Sequence, residues 1–164
     1  MNKQKPLILG IDPGTTATGY AFLQIENRKV IPIDYGVIKV SRNLNLQARI
    51  EKIYERISEL IKLYKPDQAG IEKIFHAKNV RSILSLGEAR GVILLALQQQ
   101  KIPTYEYSPR EIKKAVVGNG NASKQQVQFM VNAILKIKVP ENSYDVSDAL
   151  AIALCHHHKL NAKI

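Results

Sequence analysis

The sequence has too little cysteine for an internal disulfide or a cysteine-rich zinc site: Cys155 stands alone among 164 residues. Nothing about the fold therefore asks for an oxidising compartment. Long apolar runs are missing as well. None approaches the roughly 20 residues that cross a bilayer, so no membrane partner is expected. The opening MNKQKPLILG has too short an apolar stretch for a signal peptide, and a cytoplasmic protein is the expectation. No Pro/Gly/Ser-rich linker and no internal repeat divides the chain, which reads as one domain over residues 1–164. Acidic residues are scarce: 14 stand against 24 lysines and arginines, for a formal net charge of +10. Such an excess on a small domain suits a polyanion, most obviously nucleic acid. There is no lysine-rich tail, so any basic surface must be built by the fold.

What is present is an orderly alternation of elements. Leu7 to Ile11 is a short apolar run and reads as a buried strand. Gly19 to Ile25 and Val30 to Val40 read as two more strands, with Glu26-Asn27-Arg28 turning between them. Three early strands predict an antiparallel meander. From Leu46 the apolar spacing becomes helical through Ile50, Ile53, Ile57, Leu60, Ile61 and Tyr64, and Pro66 ends it. Gln68 to Glu72 is a short strand. Asn79 to Gln99 is helical, with Val80, Ile83, Leu84, Gly87, Gly91, Leu94 and Leu95 on one side. Ile102 to Tyr107 reads as a fifth strand, with Pro103 near its start. Residues 109–117 and 123–136 read as helices around Gly118-Asn119-Gly120-Asn121, and a last helix runs from Ser143 to His158. The order predicts an α/β protein with a mixed five-stranded sheet, three antiparallel strands and then parallel ones, with helices packed on it.

Four acids stand out by position. Asp12 and Glu72 end strands, at the edge where ligands gather in such sheets. Asp145 and Asp148 are spaced i, i+3, so both project from one face of the last helix. Each has an ordinary explanation: Asp12 opens a Pro-Gly turn, Glu72 is a strand-end charge, and the other two suit a helix N-terminus. Their convergence has none. The residues after Asp148, from Ala149 to Leu154, are small or apolar, and that helix is expected to be at least half buried. Carboxylates meeting at one edge raise one another's pKa until a cation binds. Oxygen-only ligands suit Mg2+ or Mn2+ rather than zinc. Two such ions about 4 Å apart clamp a phosphodiester, one activating water and one steadying the leaving 3′ oxygen.

Five segments carry a resemblance: Ile8 to Gly14, Ala69 to Phe75, Leu86 to Val92, Val116 to Gly120, and Asp145 to Ala153. In this order they resemble the RuvC family of bacterial Holliday junction resolvases over nearly the whole chain. The resemblance implies an RNase H-like fold with helices on both faces of the sheet. It also implies a homodimer, Mg2+ dependence, paired symmetric nicks in a four-way DNA junction, and work beside the RuvA–RuvB branch-migration complex. Asp12, Glu72, Asp145 and Asp148 fall on the family's acidic positions, where some relatives carry histidine in place of Asp145. Lys113 and Lys124 fall on positions the family uses for DNA. Phe75 falls on an aromatic that resembles its wedge at the junction centre. An exposed aromatic in a loop stacks on an unpaired base for about 1–3 kcal/mol.

Other signals point elsewhere or nowhere. Gly118-Asn119-Gly120-Asn121-Ala122-Ser123 follows a helix and not a strand, which removes a dinucleotide-binding reading and leaves an inter-helix turn or a DNA-contacting loop. His156, His157 and His158 point in different directions and cannot share one zinc ion. They read as a frayed, partly exposed helix end. Cys155 reads as a small buried hydrophobe. Gly87 and Gly91 suit close helix packing, at a dimer interface or against the sheet. Two rival functions are an actin-like ATPase or sugar kinase, which needs two such domains, and a junction-binding protein without catalysis, which has no use for four acids facing phosphate.

Overall fold

The computed structural model describes residues 5–27, 29–74 and 79–161. Its first three strands are β1 (Leu7–Asp12), β2 (Ala17–Glu26) and β3 (Lys29–Lys39). They form the expected antiparallel meander. Pro32 cannot donate to a ladder, and it sits where the β2–β3 register slips, opposite Leu23 on the outer strand. Helix α1 (Leu46–Tyr64) starts at Asn45, whose side chain accepts the Ala48 amide, and stops at Lys65 in the left-handed conformation before Pro66. Strand β4 (Gln68–Glu72) returns parallel to β1, and β5 (Thr104–Tyr107) lies parallel to β4. Between these two strands runs α2 (Val80–Gln99). The sheet order is β3-β2-β1-β4-β5, the mixed five-stranded sheet that the sequence predicts. Strand β5 is shorter than expected, because Pro103 stays outside it and only offers its carbonyl to the Ala69 amide.

Helices α3 (Pro109–Val117), α4 (Lys124–Leu135) and α5 (Tyr144–Asn161) complete the chain. Capping boxes start α3 and α4: Ser108 with Glu111, and Ser123 with Gln126. Gly118, at φ 84, closes α3 in the left-handed region. The glycine-containing segment is thus the turn between two helices.

Strand alternation divides the core in two. Leu9, Ile11, Phe22 and Ile71 pack with α1 and α2 on one face. Ile8, Ala21 and Leu23 pack with α3, α4 and α5 on the other. Helices therefore cover both faces. Helix α5 comes closest to the sheet. A Cβ on Gly10 would run into the Ala149 carbonyl, and one on Gly19 into the Asp145 carbonyl. Only glycine at these strand positions lets the helix backbone approach so near.

Two expectations are corrected. The end of α5 is not frayed: His156 is fully buried and His157 is 8% exposed, and the helix continues to Asn161. Both imidazoles have partners that three adjacent histidines do not advertise. Gly87 and Gly91 do not pack against the sheet, because a Cβ on either would meet nothing within 4 Å. Helix α2 buries Ala89, Ile93, Ala96 and Leu97 instead, and leaves Val80, Leu84 and Leu95 exposed. The helix is apolar most of the way round, so its pattern alone does not choose the face, and the small alanines allow the closer fit.

Candidate active site

The period of two along a strand places Asp12 and Glu72. Residues 8, 10 and 12 of β1 share a face, as do 68, 70 and 72 of β4. A Cβ on Gly70 would meet Ile152 and His156 of α5, and Gln68 bonds His156, so this is the face that α5 covers. Ile11 pairs with Ile71 in the parallel register, which sets Asp12 beside Glu72 at the strand tips. Asp148, on α5, closes the arrangement from above. These three acids, with Lys113 and Lys124, line a cleft of about 240 Å³ floored by Ile112, Val127 and Ile152. Asp145 stands at the exposed start of α5, on the rim of the cleft and not in its lining. Its charge still reaches Asp12 and Asp148.

The electrostatics are those of crowded carboxylates. Burial pushes the Asp12 carboxyl well above its ordinary range, and the charges of Glu72, Asp148 and Asp145 push it further. Glu72 is raised by burial and by Asp148, against a hydrogen bond from Asp12 that favours its charged form. Asp148 is also raised by burial, with the Lys124 ammonium opposing. That ammonium lies 3.6 Å from Asp148 Oδ2 and over the Tyr144 ring. The hydrogen bond between the Asp12 and Glu72 carboxyls and the Lys124 ammonium oppose that repulsion in part.

Among the described residues, no three His, Cys, Asp or Glu side chains are gathered closely enough to hold a metal ion as they stand. The donor chemistry nevertheless fits a hard divalent cation. Asp12, Glu72 and Asp148 offer oxygen alone, and burial first, then their mutual repulsion, raises their proton affinities, so a bound cation would relieve a cost that the site otherwise bears.

Several residues that hold the site have no obvious sequence signal. Thr18 is fully buried and donates through Oγ1 to the Gly14 carbonyl at 2.9 Å, fixing the turn that follows Asp12. Arg90 donates from Nε to the Glu72 carbonyl at 3.3 Å and pairs with Glu106 at 2.9 Å, pinning the end of β4. His156 bridges Tyr107 Oη at 2.6 Å and Gln68 Oε1 at 2.7 Å, tying α5 to both parallel strands. Gln68 Oε1 only accepts, so His156 donates from Nε2 and accepts the Tyr107 hydroxyl at Nδ1. Burial pushes the Tyr107 hydroxyl up to about 12, which keeps it a donor. Strand parity from Glu72 back to Gln68 was the available clue to this bridge. Cys155 is buried as expected, and burial pushes its thiol up to about 11. Phe75 lies outside the described residues.

Residues 8–156 match the family model described as "Crossover junction endodeoxyribonuclease RuvC". A protein of that name from Desulforamulus reducens is 43% identical over 150 residues, 92% of each chain. One from Shewanella loihica is 44% identical over 159 residues, 97% of this chain and 91% of that one. Among solved structures, Thermus thermophilus RuvC in complex with a Holliday junction substrate superposes with a TM-score of 0.88 at 31% identity, over 96% of both chains.

Proposed function

The chain belongs to the family of crossover junction endodeoxyribonucleases RuvC, and from that membership we propose that Asp12, Glu72, Asp145 and Asp148 are the catalytic acids with which it resolves four-way DNA junctions. The observation that carries the assignment is the meeting of Asp12 and Glu72, at the C-terminal tips of β1 and β4, with Asp148 of α5 in one cleft, within reach of the Asp145 charge. A site that wants cations, on a chain of charge +10, fits hydrolysis of an anionic polymer.

Asp12, Glu72 and Asp148 would hold Mg2+, with Asp145 completing the set from the rim and Mn2+ an acceptable substitute. Bound there, a pair of such ions would activate water and neutralise charge on the leaving 3′ oxygen. The protein's own part is then positional. With a cation held there, the ionised carboxylates of Asp12 and Glu72 would be favoured, against the burial that raises their proton affinity. Lys124, released from Asp148, and Lys113 hold the phosphodiester in line over the carboxylates. Ile112, Val127 and Ile152 form the dry floor that keeps those interactions strong.

The working unit is a homodimer of one-domain protomers, which accounts for paired nicks in a two-fold junction. The exposed apolar side of α2, with Val80, Leu84, Leu95 and the two open glycines, is its contact surface. Phe75 is the junction wedge, RuvA–RuvB is the accompanying machinery, and the protein works in the cytoplasm.

The test is a labelled synthetic four-way junction incubated with Mg2+ and with either the native protein or Asp12→Asn. Symmetric nicking by the native chain, and binding without nicking by the variant, is expected. Cutting by Asp12→Asn overturns the site. Binding without cutting by both proteins favours a non-catalytic junction binder.

A further inference from the structure

A second cavity lies on the other side of the turn that follows Asp12. It measures about 440 Å³ and is lined by Gly14, Thr15, Arg49, Arg81, Ser82, Ser85 and Leu86. Its walls come from the first turns of α1 and α2, which pack on the sheet face opposite the carboxylate cleft. Among the described residues, neither Arg49 nor Arg81 makes an ion pair with an acid. Arg49 Nε is buried with no hydrogen-bond partner, an uncompensated donor on a charged group. No acidic side chain lines the cavity, while three hydroxyls do. Two unpaired guanidiniums with hydroxyl donors between them match the oxygens of a phosphodiester, which accept several hydrogen bonds and carry one charge.

We propose that this cavity is a backbone-phosphate subsite, in which Arg49, Arg81 and the hydroxyls of Thr15, Ser82 and Ser85 grip a phosphate of the same DNA strand that is cut at the carboxylates. This rests on the junction-cutting function proposed above. At most about 7 Å of chain separates Asp12 from Gly14, so the two clefts adjoin across the Asp12–Thr15 turn. A strand with its scissile phosphate on Asp12 carries its next phosphates toward one cleft wall or the other. Lys113 and Lys124 grip on the α3–α4 side, and Arg49 and Arg81 on the α1–α2 side. The two basic arms hold the strand on both sides of the bond to be broken, which resists its sliding along the site. These contacts read no base and contribute to register and affinity alone.

The experiment measures junction binding against salt in the absence of divalent metal, for the native protein, Arg81→Gln, Arg49→Gln and Arg49→Lys. Arg81 is exposed, so Arg81→Gln leaves folding intact, and thermal unfolding checks this for Arg49→Gln. Each loss of charge is expected to lower the slope of log K on log salt by about 1 and to weaken binding about tenfold at 0.1 M salt. Arg49→Lys should keep the slope. A scan of single methylphosphonate linkages along the cut strand locates the contact. Beyond the scissile position, one neutral linkage should weaken the native protein, weaken each single Gln variant less, and leave the double variant Arg49→Gln/Arg81→Gln unaffected. Native slopes in both Gln variants, or a full linkage effect that persists in Arg49→Gln/Arg81→Gln, overturns the subsite while leaving the nuclease function standing. Failure of the native protein to bind the junction overturns both.

Discussion

Asp12 is held at the end of β1 with its proton affinity raised by burial first and by Glu72, Asp148 and Asp145 after that. The consequence for stability has a definite sign. A carboxyl raised in the folded state binds its proton more tightly there than in the unfolded chain, so stability falls as pH rises from the ordinary carboxylate value through the raised one. Without divalent metal, the thermal midpoint should therefore decline from mildly acidic to neutral pH. Asp12→Asn should raise it at neutral pH, and Mg2+ should restore the native protein more than the variant. Calorimetry in chelator and in Mg2+ across that range checks both. Glu111 behaves oppositely. The Ser108 amide and hydroxyl hold its carboxyl below the usual range. Its contribution is full above the ordinary carboxylate value and is lost as pH falls below that value through the lowered one. Glu111→Gln should cost about 0.5–1 kcal/mol at neutral pH by denaturant unfolding, and less in acid.

At the scale of elements, the site depends on how closely α5 lies on the sheet. Gly10 and Gly19 set that distance, since a methyl at either meets the helix backbone. Gly10→Ala should cost about 1–3 kcal/mol and lift α5, carrying Asp145 and Asp148 with it. A displacement of about 1 Å would lower the cleavage rate about 100-fold, read as single-turnover kinetics on a folded variant. The position of α5 along its own axis is fixed by the bridge of His156 to Gln68 and Tyr107. His156→Leu leaves both partners without a bond in a buried place and should cost about 1–3 kcal/mol in urea unfolding. Tyr107→Phe, which keeps the ring, should cost less. Most of these elements were legible as strings of apolar residues, from Leu46 to Tyr64 for α1 and Gln68 to Glu72 for β4. The buried end of α5 was not, because a histidine reads as polar until Tyr107 and Gln68 are brought against it from residues far away in the chain.

For the whole molecule, charge and symmetry decide. Junction affinity should fall steeply with salt, because the positive surplus displaces counterions from DNA. The α2 surface should be the dimer contact, so Leu84→Lys should sediment as a monomer and lose paired nicking while keeping its fold. A dimeric Leu84→Lys would place the contact elsewhere.

The sequence by itself determined the order of charges and apolar residues along the chain: four acids at strand tips and a helix start, and the alternation that makes a mixed sheet. Those are local patterns, set by periods of 2 and 3.6 residues along the chain. Tertiary structure decided what contact between distant segments sets. It made Asp12, Glu72 and Asp148 one cleft and left Asp145 at its rim. It gave Thr18 and Arg90 their roles as anchors and turned the exposed face of α2 outward. It also gathered Arg49 and Arg81, 32 positions apart, around one cavity, because two helix starts meet at the same end of the sheet.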